Sequence, residues 1–381
     1  MKHSTRRMLA LGAAGVVAAI TLSACSTSST PSSSSSAGLT PVTLQLQWVP
    51  QAQFAGYYAA VAQGFYEKEG LDVTIKEAGT DTVPIDVLAS GDADFAISWV
   101  PKVLGSIEKG TNVTDIAQIF ERSGTTQISF KDKGITTPAD LKGKKVGSWG
   151  YGNEWELFAG MQKAGIDTTK DITLVQQAFD MNGFLSGDID AAQAMTYNEY
   201  AQVLETINPA TGKLYQPSDL NVINWNDYGT AMLQDAIWAD TAKLSSDPAY
   251  ADTAVKFIKA SIEGWIYARD NPQQAADIVT QAGSTLGTSH QLWMTNEVNK
   301  LIWPSTSGIG IINKNQWDQT VGIALNTKNE TGSTIITKDP PSTAYSNEYV
   351  QKALDELKAE GVDVTGSGFT PLTVTLKEGG N

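Results

Sequence analysis

The segment Val42–Ile75, VTLQLQWVPQAQFAGYYAAVAQGFYEKEGLDVTI, restricts the choice of fold more than any other stretch. Val42, Leu44, Leu46 and Trp48 alternate with Thr43, Gln45 and Gln47, a period of two that predicts a strand with one buried face. Pro50 has no N–H to give a ladder and stops it. Phe54, Tyr57, Tyr58, Val61 and Phe65 then fall at helical spacing, and Gly70 ends that helix. Val73 and Ile75 open a second strand. Such a strand–helix–strand unit starts a parallel sheet. It sets Trp48 and Gln53 at a strand's C-terminal end against a helix N-terminus, where open α/β sheets bind ligands.

Ahead of this unit stands a leader. Lys2, Arg6 and Arg7 precede the apolar run Met8–Leu22, which is short for a bilayer span. Leu22-Ser23-Ala24-Cys25 resembles the lipobox of bacterial lipoproteins, in which the cysteine carries the lipid. Residues 1–25 are therefore read as a lipoprotein signal peptide, and the Ser-rich residues 26–40 as a flexible tether to a membrane. Arg6-Arg7 leaves twin-arginine and general export both open.

Cys25 is the chain's one cysteine, and His3 and His290 are its two histidines. One chain can then hold neither a disulfide nor a multi-histidine metal site, and no metal is expected. His290 reads as a helix-surface residue. Without the three leader cations, 24 Lys and Arg face 41 Asp and Glu, a balance of about −17 that repels nucleic acid. Only Arg122 and Arg269 remain as arginines beyond the leader.

Beyond the opening unit, the patterns predict strands at Asp94–Trp99, Val113–Phe120, Lys145–Trp149, Ile172–Gln176 and Ile189–Met195, with helices between them. Glu121–Thr126 reads as a first crossing between lobes and Leu220–Trp225 as the return. Ala231–Ala239 reads as a strand back in the first lobe, and mostly helical sequence follows. About 340 residues exceed what one core usually supports. The expectation is an α/β, two-lobed fold of the type II periplasmic-binding-protein kind, with the second lobe inserted into the first. Lobe 1 comprises 41–124 and 228–365, lobe 2 comprises 125–227, and 366–381 form a loose tail. An exported, tethered chain of this plan has the architecture of a solute-binding protein whose lobes close on ligand.

Three predicted strands end in tryptophan, Trp48, Trp99 and Trp149, with Trp149 the one weighed towards the core. Rings at strand tips could stack a flat ligand, each pair adding about 0.5–1.5 kcal/mol beyond area burial. Gly150-Tyr151-Gly152-Asn153-Glu154 leaves backbone N–H groups free at a strand–helix junction, without the third glycine of a nucleotide fingerprint. Glu154 could equally be held there by the helix dipole alone. Tyr197-Asn198-Glu199-Tyr200 repeats the arrangement with a second carboxylate. Two carboxylates beside Tyr and Asn suit a heteroaromatic with amino donors and suit a sulfonate poorly. Tyr57 joins the wall, and Asp235 enters the last strand of the first lobe.

Gln47-Trp48-Val49-Pro50, Gly56-Tyr57-Tyr58, Gly64-Phe65-Tyr66 and Glu69-Gly70-Leu71-Asp72-Val73 resemble the opening of the thiamine-pyrimidine-precursor-binding family. Ser90-Gly91-Asp92-Ala93-Asp94, Leu141–Gly147 and Gly187-Asp188-Ile189-Asp190-Ala191 extend the resemblance over about residues 41–330. It implies a lipid-anchored binding protein, monomeric and without cofactor, that hands a small heteroaromatic to an ABC permease with its cytoplasmic ATPase. A thiamine-type pyrimidine is the first expectation and riboflavin the second. Taurine or alkanesulfonate binding is an alternative. A related fungal enzyme makes the thiamine pyrimidine from its own histidine and bound pyridoxal phosphate. In this chain Ser98 stands at its pyridoxal lysine and Lys102 at its histidine, and Gly229–Trp238 has no cysteine for its iron cluster. No catalytic residue is therefore expected. The expected binding residues are Trp48, Gln53, Tyr57, Trp99, Tyr151, Asn153, Glu154, Tyr197, Asn198, Glu199 and Asp235, with Cys25 lipidated.

Overall fold

The computed structural model describes residues 38–381; the leader, Cys25 and most of the Ser-rich segment lie outside the described residues. Strands of the first lobe open the chain as β1 (Thr40–Gln45), β2 (Leu71–Lys76), β3 (Phe95–Trp99) and β4 (Val113–Gln118). The second lobe carries β5 (Thr125–Phe130), β6 (Lys145–Ser148), β7 (Thr173–Gln176) and β8 (Ala192–Met195). A small hairpin of β9 (Ile207–Asn208) and β10 (Lys213–Leu214) precedes β11 (Leu220–Asn224), and β12 (Asp235–Asp240) returns to the first lobe.

The two sheets share one plan. In the first, β1 lies parallel between β2 and β3, and the returning β12 slots in antiparallel between β3 and β4. In the second, β6 pairs parallel with β7, and a bridge from Val146 to Ala191 joins it to the β8 side. The arriving strand β5 slots in antiparallel between β8 and β11. Each lobe thus takes as its fourth strand the one that has just crossed from the other. This is the two-lobed type II arrangement, with the second lobe inserted into the first.

Differences from the sequence reading have local causes. β1 ends at Gln45, and Thr40, assigned to the tether, is its first residue. Residues 220–224 pair with β5 as an antiparallel strand, so the return is no linker there; the crossing comes afterwards, at residues 229–234. Alternation reveals a strand but not which lobe it joins. Residues 366–381 are docked, not loose. The Leu372 N–H donates to Asn296, that of Lys377 to Ser289 and that of Gly379 to the Glu205 carbonyl (2.7, 3.3 and 3.1 Å), while Leu376 packs on the second lobe's core. His290 is buried, its ring nitrogens meeting Glu205 (2.9 Å) and Asn198 (3.0 Å).

The helix Pro248–Asp270 carries the first lobe's core. Asp247 caps it by accepting from the N–H groups of Ala249 and Tyr250, and Pro248 fits the first turn, where no N–H is needed. It crosses the helix Ala55–Ala62 with glycine on both sides. A Cβ at Gly264 would lie 2.0 Å from the Gly56 carbonyl oxygen, and one at Gly56 would lie 2.2 Å from the Trp265 ring. That close approach seats Trp265 edge-on to Tyr57, with centroids 5.6 Å apart.

Gly264→Ala is expected to cost on the order of 3 kcal/mol, or to block folding, because the helices cannot separate without opening the core. Gly322→Ala, whose Cβ would meet nothing within 4 Å, should instead stabilise the helix Lys314–Asn326 by about 0.5–1 kcal/mol. Denaturant midpoints of the two variants test the contrast.

Candidate functional site

Four backbone ends of the first lobe converge on one carboxylate. Asp235 is the first residue of β12 and lies opposite Trp99, the last residue of β3. Gln47 lies two residues past β1, and Gln53 sits in the 3-10 turn Ala52–Phe54. Asp235 Oδ1 accepts from Gln47 Nε2 (2.7 Å), Trp99 Nε1 (2.8 Å) and Gln53 Nε2 (3.1 Å), whereas Oδ2 accepts from Gln53 alone (3.0 Å). Gln53 is fixed in turn by Gln51, whose Nε2 donates to its Oε1 (2.7 Å). The Asp235 carbonyl accepts from the N–H groups of Ile119 and Phe120, which ties the same residue to the first crossing.

Burial pushes the Asp235 carboxyl up from its usual 3.8 to about 7, against the pull of the Gln53, Trp99 and Gln47 N–H donors and of the Lys102 charge. Tyr57 and Tyr197 both feel this carboxylate, and burial first of all holds their hydroxyls well above the ordinary tyrosine range. An edge-to-face chain, Tyr57–Trp265–Phe120–Tyr197, with centroids 5.6–6.3 Å apart, connects the two tyrosines. The Tyr57 hydroxyl is buried and unpartnered.

Lys102 stands on the helix Val100–Glu108, directly after β3, with Nζ 5.0 Å from the centroid of the Trp99 ring. It is exposed, yet it sits deep enough that loss of hydration pushes its pKa down to about 8, against the Glu154 and Asp235 charges. The second lobe comes close to it here, since a Cβ at Gly152 would lie 3.5 Å from Lys102 Cγ. Trp48 reaches the same seam and meets Phe179 of the second lobe at 5.0 Å; Phe179 stacks in turn on Trp149 at 6.2 Å.

The structure thus gathers Gln53 and Trp99 on Asp235 by hydrogen bonds, with Tyr57 and Tyr197 near enough to feel its charge, whereas Trp48 is shown at the lobe seam against Phe179 and Glu154 acts on Lys102 through its charge. The remaining candidates stand differently. Tyr151 is 84% exposed with φ at 54°, between Gly150 and Gly152, which also have positive φ. Asn153 Nδ2 turns back to the Gly150 carbonyl (2.8 Å), and Glu154 Oε2 accepts from the Gly152 N–H (2.9 Å). Glu199 is buried, one oxygen accepting from the Met195 N–H and the other from Asn198 Nδ2, both at 2.9 Å, while Asn198 Oδ1 meets His290. Gln47, Lys102 and Phe179 were not among the sequence candidates. Gln47 carried a usable signal, its place beside Trp48 beyond a strand end. Phe179 carried none, since its partner Trp48 is far away in the chain.

Because Asp235 is more readily protonated in the fold than in the unfolded chain, its contribution to stability falls as pH rises from about 4 to about 7 and is level above that. Carboxyl-carbon NMR of the unliganded protein should show one aspartate titrating near 7, a signal absent from Asp235→Asn. A midpoint near 4 would refute this account of the site.

Residues 51–275 match the family model described as NMT1/THI5 like. The formylaminopyrimidine-binding protein of Halalkalibacterium halodurans is 26% identical over 270 residues, which cover 69% of this chain and 76% of that one. The riboflavin-binding protein RibY of Chloroflexus aurantiacus is 25% identical over 286 residues, covering 70% and 76%. Among solved structures, the periplasmic aliphatic sulphonate binding protein SsuA of Escherichia coli superposes with a TM-score of 0.56 at 15% identity, over 88% of this chain and 94% of that one. That last likeness is one of fold. With more than half of its length under a single family model, this chain belongs to the NMT1/THI5-like family and has the fold of the periplasmic binding proteins.

Proposed function

We propose that the chain is the substrate-binding lipoprotein of an ABC importer and captures a flat nitrogen heteroaromatic between its lobes. A thiamine-type pyrimidine is the first choice and riboflavin the second. The observation that carries this reading is the Asp235 carboxylate, buried at the strand tips with Oδ2 engaged by Gln53 alone. A ring amino group is a donor that such an oxygen accepts, and burial strengthens the bond. Trp48, Tyr57, Trp99 and Tyr197 wall the ring. Glu154 closes over it from the second lobe, the Tyr151–Asn153 loop forms the lip, and Asn198 and Glu199 brace Tyr197 from behind. A sulfonate would bring its charge against Asp235 and Glu154 with Lys102 as sole counter-charge, so the shared fold of the sulfonate binders does not extend to their ligand. The synthase reading lacks its nucleophile here. Ser98 occupies the position of the pyridoxal lysine and is buried in β3, its carbonyl accepting from Trp238 Nε1 (3.0 Å).

Calorimetry with hydroxymethylpyrimidine, its formylamino relative, riboflavin and taurine tests the ligand class. One of the heterocycles should bind, and Trp48→Ala should weaken it at least about twofold, the least that one lost ring contact implies. Taurine binding without heterocycle binding would overturn the reading, and a pyridoxal absorbance band on the purified protein would restore the enzyme. For the anchor, Cys25→Ser should move the protein from the membrane fraction to the soluble one and abolish labelling by radioactive palmitate; retention of both would exclude lipidation at Cys25.

A further inference from the structure

The two crossings between the lobes, residues 119–124 and 229–234, run side by side, and one buried carboxylate holds both. Glu156, in the first turn of the helix Trp155–Lys163, accepts from Ser123 Oγ through Oε2 (2.7 Å) and from the Met232 N–H through Oε1 (3.0 Å). Ser123 belongs to the outgoing crossing and Met232 to the returning one, and all three residues are buried. Around this pair the crossings are also laced to each other. Gln234 accepts from the Gly124 N–H (2.9 Å) and donates to Thr125 Oγ1 (2.7 Å), and the Thr125 N–H donates to Ser123 Oγ (3.0 Å). Asn226 grips the Ser123 backbone on both sides, accepting from its N–H (3.2 Å) and donating to its carbonyl (2.8 Å). The Gly124 carbonyl also accepts from the Thr196 N–H of the second lobe (2.8 Å), and the Leu233 N–H donates to Thr320 Oγ1 of the first (3.0 Å), but each of these grips one crossing, whereas Glu156 bonds to both.

We infer that Glu156 is the positioning residue of the hinge: it registers both crossings against the second lobe and so sets the angle between the lobes before any ligand arrives. A buried carboxylate with two donors is costly to leave half-satisfied, so both crossings are held in one register relative to this helix. Opening then proceeds by rotation in the crossing residues outside that grip. Glu156 makes its hydrogen bonds to the crossings and not to the residues proposed to wall the heterocycle, so its effect on affinity passes through the fraction of molecules in the binding-competent form. The inference does not depend on which ligand the protein takes.

The test is made without ligand. Cys25 is the only native cysteine, so a Cys25→Ser chain carrying Lys109→Cys and Ala164→Cys accepts one spin label on each lobe, and dipolar spectroscopy reads the distance between them. The native hinge should give one narrow distribution. Glu156→Leu, which offers no acceptor to either donor, should add a second population with at least about a tenth of the molecules, the size of a detectable minor state. Ser123→Ala, which removes one donor and leaves the carboxylate in place, should do the same, and Glu156→Ala should exceed both. If Glu156→Ala fails to fold, the other two variants carry the test. An unchanged single distribution in folded Glu156→Leu and Ser123→Ala, with circular dichroism like the parent's, would overturn the inference whatever calorimetry says of the ligand.

Discussion

Asp235 is the group on which the arrangement of the cleft depends. A carboxylate buried as deeply as this one must be met by donors, and here the donors come from three separate backbone segments: the end of β1, the end of β3 and the turn before the first helix. None of these segments is held to another at that level by sheet pairing, since β1 pairs with β3 only through Leu44 and Gln45. The carboxylate therefore gathers the strand tips where the ladder has already let go. The cost is an acid that resists ionisation, and sites that bind or react often carry such a group.

The two-lobed plan places this node beside the seam between the lobes. Trp48 and Lys102 stand on the first lobe, and their nearest neighbours across the gap, Phe179 and Gly152, stand on the second. Contacts of this kind exist only while the lobes are together. The polar network at the crossings differs in kind, because its bonds join side chains to the linking segments themselves and not one lobe's surface to the other's.

Much of this was legible in the sequence because it is local. Alternation over Val42–Trp48 and the tryptophan at the end of β3 are short-range patterns that led to the correct elements, whereas the helix read from Phe54 through Phe65 to Gly70 breaks at Gly64, whose φ of 70° splits it into Ala55–Ala62 and Phe65–Lys68 and leaves Val61 exposed. The inserted topology was legible too, from the polar break at Glu121–Thr126 and the alternating unit after it. What the sequence concealed depends on distance along the chain. Asp235 read as a minor candidate because nothing near it in sequence reveals Gln47, Gln53 or Trp99 as partners. Glu154 and Glu199 read as ligand-facing because a carboxylate at a helix start looks the same whether it turns outward or back to its own backbone, as Glu199 does towards Met195. His290 read as a surface residue because a lone histidine gives no hint of Glu205.

The docked final segment carries a consequence of its own. Gly380 is wedged where a Cβ would lie 3.0 Å from that of His290 and 3.1 Å from Glu205 Oε2, one residue from each lobe. With φ at 77° and both lobes in contact range, any larger residue at 380 would be strained in its backbone and press His290 and Glu205 apart at once, so this single glycine works as a clasp across the seam.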